Sequence, residues 1–260
     1  TNGSYTRHFN LIQIPGVQLH YVEMGNGPVI CLCHGFPESW YSWRFQIPAL
    51  ADAGFRVIAF DMKGYGDSSA PQVKTHFICW NVGANCLWFL SLQGISQASF
   101  IGHDWGGAVV WNMALFYPER VRAVASLNTP FFTSDPGVNA LERIKANPIF
   151  DYQLYFQEPG VAEAELEKDL ERTFKVFFRG SSEKNSLSQL ATPIPPGSLL
   201  PVSVCMLGCY LWFVPSGPLS YRGPLNWYRN MQRNSEWNIS AHGWKILVPA
   251  LMVTAGKDFV

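Results

Sequence analysis

The segment Gly102-His103-Asp104-Trp105-Gly106-Gly107 sets a carboxylate between small residues. A strand that turns sharply into a helix needs small residues on both sides of the tip. The residue at the tip is then presented at the strand end, where a nucleophile can work. An aspartate there faces the positive end of the following helix, which favours its charged form. Such a carboxylate can attack carbon directly and form an ester. The same spacing also suits an Asp that only caps the helix beginning near Trp105. Two further polar features end apolar runs: His34-Gly35-Phe36-Pro37 after Val29–Cys33, and Asp258 after the run that closes at Thr254. An ordinary loop would explain either alone. Three such features at the carboxyl ends of parallel strands would converge on one ligand site.

The elements that must position them follow from periodicity. Val17 to Glu23 begins with alternating apolar and polar residues, the pattern of a half-buried antiparallel strand. Gly25-Asn26-Gly27-Pro28 is a turn. Val29–Cys33 and Arg56–Phe60 are continuous apolar runs, as expected of strands buried on both faces. A helix is expected from Trp43 to Ala53, ending at Gly54. Ala98 to Ile101 reads as a short strand into the Asp104 turn, Val109 to Tyr117 as the helix after it, and Pro118 as its stop. Val121–Leu127 and Ile246–Thr254 read as further strands. Strands alternating with helices imply an α/β chain with a mainly parallel sheet and helices on both faces. Between Leu127 and Ile246 the alternation stops. Helical periodicity runs from Val161 to Phe178, among several prolines. The expected organisation is a core from residues 1–130, a helical cap over 131–243, and a second, incomplete part of the core over 244–260.

Bulk properties exclude several function classes. The 260 residues are 48% hydrophobic, enough for a sizeable core, and the formal net charge is zero, which disfavours nucleic acid as a partner. High aromatic content suits an apolar pocket as well as a large core. The six cysteines lack small-domain disulfide spacing. Cys31-Leu32-Cys33 has the spacing of neither a zinc knuckle nor a redox motif. No metal and no cofactor are expected. Reduced cysteines and the lack of a secretory signal point to a cytoplasmic setting. Leu199 to Val214 is apolar but short of the roughly 20 residues a spanning helix needs, and Pro201 and Gly208 interrupt it. No membrane span is expected.

The motifs together resemble the α/β-hydrolases that use an aspartate nucleophile. More narrowly, they resemble the hydrolase domain of the vertebrate soluble, bifunctional epoxide hydrolases. The resemblance is carried by HGFPESWYSWR from His34, DMKGYG from Asp61, the Gly102–Gly107 turn, ANPIFDYQLYFQEPG from Ala146 and RGPLNWYR from Arg222. It implies an α/β-hydrolase fold with an inserted helical cap, and hydrolysis of epoxides, fatty-acid epoxides among them, to vicinal diols. Asp104 would be the nucleophile. Tyr152 and Tyr228, both in the cap, would donate to the epoxide oxygen, beside Phe150 and Gln153 in the substrate pocket. The backbone N–H groups of Phe36 and Trp105 would form the oxyanion hole. Asp258 would be the triad acid, partnering a His that activates water. The resemblance further implies a role in lipid metabolism, a homodimer, and a peroxisomal as well as cytoplasmic location.

The sequence also departs from that pattern. The histidines are His8, His20, His34, His76, His103 and His242, all before Asp258. The reading therefore expects this chain to lack the catalytic His, together with the last strand and helix of the fold. Thr75 to Gly102 and Ala191 to Ser220 carry no Asp, Glu, Lys or Arg, where the family has charged helices. The stretch from His76 to Leu90 is apolar nearly all round and would need burial on every side. An altered reading frame or exon choice is the expected origin of both stretches. Two alternatives remain open: a haloalkane dehalogenase, which also uses an Asp followed by Trp but does not need the tyrosine pair, and a non-catalytic truncated product.

Overall fold

The computed structural model describes residues 6–71, 79–177 and 220–256. The chain opens with an antiparallel pair, β1 (His8–Ile14) and β2 (Val17–Met24). Then follow β3 (Val29–Cys33), α1 (Gln46–Asp52), β4 (Arg56–Phe60), α2 (Cys79–Leu92), β5 (Ala98–His103), α3 (Trp105–Phe116) and β6 (Val121–Leu127). Four short helices come next: α4 (Ala140–Lys145), α5 (Asp151–Tyr155), α6 (Val161–Leu166) and α7 (Leu170–Phe177). Two more, α8 (Arg222–Asn226) and α9 (Met231–Ile239), precede β7 (Ala250–Val253).

The strands form one sheet in the order β1-β2-β4-β3-β5-β6-β7. The pairs from β4 through β7 are parallel. From β3 the chain steps to β4 on one side and later crosses to β5 on the other. The connections leaving β3 and β5 therefore diverge, and a crevice opens at their carboxyl ends. Cys33 pairs with Gly102 in that register, so His34–Phe36 and Asp104 emerge side by side.

Burial explains the uninterrupted apolar runs. In β3, Ile30 and Leu32 pack on one face with Trp40, Trp43 and Ile47. Cys31 and Cys33 pack on the other face with Phe89 of α2 and Val109 and Met113 of α3. Both faces are covered, so no polar position is left along the strand.

Several elements differ from their expected bounds. The helix expected over Trp43–Ala53 is a 3-10 turn at Trp40–Trp43 followed by α1 from Gln46. Pro48 lies in the first turn of α1, where its missing N–H costs no helical bond. The helix after Asp104 begins four residues earlier than expected, at Trp105. The periodic run from Val161 divides into α6 and α7. The last strand is limited to Ala250–Val253, just after Pro249, which cannot donate to a ladder. The apolar stretch before Gly94 forms α2, yet it is not enclosed on every side. Val82, Cys86, Phe89 and Leu90 are buried, whereas Trp88 and Leu92 are 49% and 55% exposed. Among the described residues no helix is long and apolar enough to cross a membrane. Leu199–Val214 lies outside the described residues.

Candidate active site

Asp104 sits at the tip between β5 and α3 with φ 51° and ψ −122°, a backbone conformation that non-glycine residues rarely adopt. Its neighbours make the turn possible by close approach. A Cβ on Gly102 would lie 2.2 Å from the Gly106 carbonyl oxygen, and one on Gly106 would lie 2.1 Å from that of Cys33. Thr129 Oγ1 donates to the Asp104 carbonyl oxygen at 2.9 Å, bracing the tip from the loop after β6.

The carboxylate meets the loop after β3. Phe36 N donates to Asp104 Oδ1 at 2.7 Å. Withdrawal from water raises the Asp104 pKa to about 6, opposed by His103 and by the Phe36 and Trp105 backbone N–H groups. The two expected oxyanion donors thus both reach the Asp104 carboxylate. Gly35 packs so tightly here that its Cβ would stand 2.3 Å from that of Asp104.

Beneath the loop lies a polar support with no clear signature in the sequence. Glu38 is 1% exposed. Its Oε2 accepts from Gly35 N at 3.1 Å, and its Oε1 is 2.9 Å from His103 Nδ1. Burial alone would raise the Glu38 pKa. The His103 imidazole, its hydrogen bond and the neighbouring groups bring it below the ordinary value. His34 lies 2.8 Å from the Gly35 carbonyl through Nδ1 and accepts from Met62 N through Nε2 at 2.9 Å. That pairing fixes a neutral ring protonated at Nδ1. Burial lowers the His34 pKa, in keeping with that form. Only the place of Glu38 directly after HGFP and of His103 directly before Asp104 could have pointed to them.

The helices between β6 and β7 supply the opposite wall. Tyr152 of α5 and Tyr228, which follows α8, are 4% and 1% exposed, with ring centroids 6.0 Å apart. Gln153 Nε2 donates to Tyr152 Oη at 2.9 Å. The Tyr228 hydroxyl is buried, with the Trp105 indole N–H beside it. Burial, and next the Asp104 charge, push its pKa well above the ordinary value, so it keeps its proton. The Tyr228 ring stands edge-on to Phe36 and to Trp105, each at 5.2 Å.

Two anchors hold this wall in place. Trp227 Nε1 donates to the Lys63 carbonyl at 2.9 Å, tying α8 to the DMKGYG loop. Arg229 forms a two-pronged pair with Glu163 at 2.8 and 2.9 Å and donates through Nε to the Phe156 carbonyl at 3.0 Å. The sequence places neither anchor in view.

Asp104, Trp105, Phe150, Tyr152, Gln153 and Tyr228 all line one cavity of about 340 Å³. Phe36 packs against Tyr228 behind it. Of the residues expected at the site, Asp258 alone falls outside the described residues. The geometry sets a carboxylate and two phenols across a mostly apolar space, an arrangement suited to attack on carbon with a proton supplied from the other side.

Comparison with known proteins agrees with this architecture. A family model for the α/β hydrolase fold matches residues 28–260. The chain is 60% identical over 256 residues to bifunctional epoxide hydrolase 2 of Sus scrofa, covering 95% of this chain and 46% of that protein. It thus spans about half the length of that relative. It is 39% identical to epoxide hydrolase A of Mycobacterium tuberculosis, covering 95% of this chain and 81% of the relative. The crystal structure of epoxide hydrolase A from Mycobacterium thermoresistibile superposes with a TM-score of 0.84 at 39% identity, over 96% of this chain and 83% of that one. The chain belongs to the α/β-hydrolase fold family and, within it, to the epoxide hydrolases.

Proposed function

We propose that this protein hydrolyses epoxides to vicinal diols through an ester at Asp104. The observation that carries the reading is the placement of the Asp104 carboxylate opposite the Tyr152 and Tyr228 hydroxyls in one cavity. Asp104 attacks a ring carbon, and a new C–O bond forms as the strained ring C–O bond breaks. The ring oxygen takes a proton from the tyrosine pair and becomes a hydroxyl. Water then attacks the ester carbonyl; one of its protons leaves on the second hydroxyl of the diol and the other returns to the tyrosine pair, restoring the carboxylate and the phenol. The Phe36 and Trp105 N–H groups stabilise the oxyanion formed in that second step. The family resemblance assigns activation of the water to a His partnered by Asp258.

The resemblance further supports fatty-acid epoxides as substrates, a place in lipid metabolism, a homodimer, and a cytoplasmic and peroxisomal location. It also supports treating residues 131–243 as a cap on a core built from 1–130 and 244–260. Tyr152→Phe and Tyr228→Phe test the central roles. Each is expected to lower epoxide turnover by roughly 10- to 100-fold, and the double variant by more. A halogenated alkane run in parallel separates the dehalogenase reading. Halide release at a rate that survives loss of both tyrosines would replace epoxides with haloalkanes as the substrate class.

A further inference from the structure

The cavity carries charge at two places. Asp104 lies at the inner end, with the buried Tyr152 and Tyr228. At the outer rim, Phe132 and Val138 are 56% and 44% exposed, and two exposed ions stand with them, Arg143 of α4 and Asp135. Arg143 is the one cation among the described residues that line the cavity. Its guanidinium carbon lies 5.8 Å from the centre of the Phe132 ring. Its Nη1 donates to the Thr133 carbonyl at 3.5 Å, a long and weak bond. Phe132 and Thr133 both line the cavity, so these contacts hold the guanidinium at the rim. Most of its five N–H groups remain to be given. Among the described residues Arg143 forms no ion pair, with Asp135 or any other acid. Glu142 beside it is taken by Lys145 at 2.7 Å. The start of α4 is tied to α9, where Gln232 Oε1 accepts from Ala140 N at 3.1 Å.

Apart from these three ions the lining is uncharged, and most of its surface is apolar. An ion cannot rest against such a wall without a partner. The charged end of a long substrate is therefore tolerated only at the rim. There the fork of guanidinium donors matches a carboxylate, whereas Asp135 repels one. We propose that Arg143 is a specificity-determining residue, which receives the carboxylate of an acid substrate at the rim while the epoxide ring lies against Asp104. The two rim ions then act in opposite directions on the same substrate. This rests on the epoxide reading and names the residue that selects free acids over their neutral derivatives.

The test mixes the full-length natural protein, in excess, with two epoxides of equal length, one ending in a carboxylate and the other in a primary amide. Consumption of both is followed in one mixture, so the ratio of their rates is read directly. A series of such pairs varies the separation between ring and end group. At the best separation the acid is expected to react roughly 2- to 5-fold faster than the amide, the range of one solvent-exposed ion pair at low salt. That ratio is expected to fall toward one in about 0.5 M salt and in Arg143→Gln, and to rise in Asp135→Asn. Arg143→Lys, which keeps the charge and loses the fork, is expected to fall between. A ratio of one at every separation overturns the subsite, and that comparison needs no variant to fold. A ratio that survives Arg143→Gln overturns the assignment to Arg143. A ratio that falls in Asp135→Asn overturns the opposed roles of the two rim ions. Consumption of neither probe overturns the epoxide reading, and the subsite with it.

Discussion

At the scale of the residue, Asp104 combines two costs that a merely structural aspartate avoids: a rare backbone conformation and a charge partly withdrawn from water. Its carboxyl has a pKa raised from 3.8 to about 6. The reactive form is the carboxylate, so ester formation is expected to rise with pH through about 6 and level off above it. Stability runs the other way. A carboxyl whose pKa is higher folded than unfolded binds its proton more tightly in the folded state. The stability this contributes is present below about pH 4 and is lost as pH rises through about 6. Asp104→Asn is therefore expected to raise unfolding free energy at pH 8 by about 1–3 kcal/mol, with no gain below about pH 4. Chemical denaturation at the two pH values checks this, and an equal effect at both would assign the change to something other than charge. Asp104 was legible in the sequence because glycines must flank such a tip. Glu38 and His103 were not, because a buried pair depends on two segments meeting in space, and neither segment marks the other.

At the scale of the element, the glycines around Asp104 are contact surfaces between backbones. Gly106→Ala would place a Cβ 2.1 Å from the Cys33 carbonyl oxygen, which belongs to β3 and cannot swing away. The expected outcome is loss of about 3 kcal/mol or more, at the upper end of overpacking costs. The checks are a fall in Tm and poor recovery of soluble protein. A variant with native Tm would mean that α3 can move off the sheet. The sheet strands were legible for a related reason: burial on both faces writes a continuous apolar run into β3 and β4. The helices between β6 and β7 were harder to read. Their periodicity runs on from Val161, yet the chain divides it into α6 and α7, and the Arg229–Glu163 pair that braces them is 66 residues apart in sequence. β7 is shorter than its apolar run because Pro249, whose carbonyl accepts from Val124 N, has no N–H with which to carry the ladder further back.

At the scale of the whole molecule, the site exists only where two parts meet. The sheet supplies Asp104 and the Phe36 and Trp105 donors at the crevice between β3 and β5. The helices between β6 and β7 supply Tyr152 and Tyr228. The Trp227 bond to the Lys63 carbonyl fixes one part on the other. Strand order was inferable only as a class, whereas the crevice itself follows from β3 lying between β4 and β5. The central claim is that Asp104 attacks the epoxide carbon. It is tested most directly by mixing the protein with an epoxide, quenching rapidly, and measuring intact mass with peptide mapping. The account predicts a mass increase of one epoxide, located on the peptide that carries Asp104 and absent from Asp104→Asn. Diol release with no adduct at any quench time, or an adduct that persists in Asp104→Asn, would contradict it.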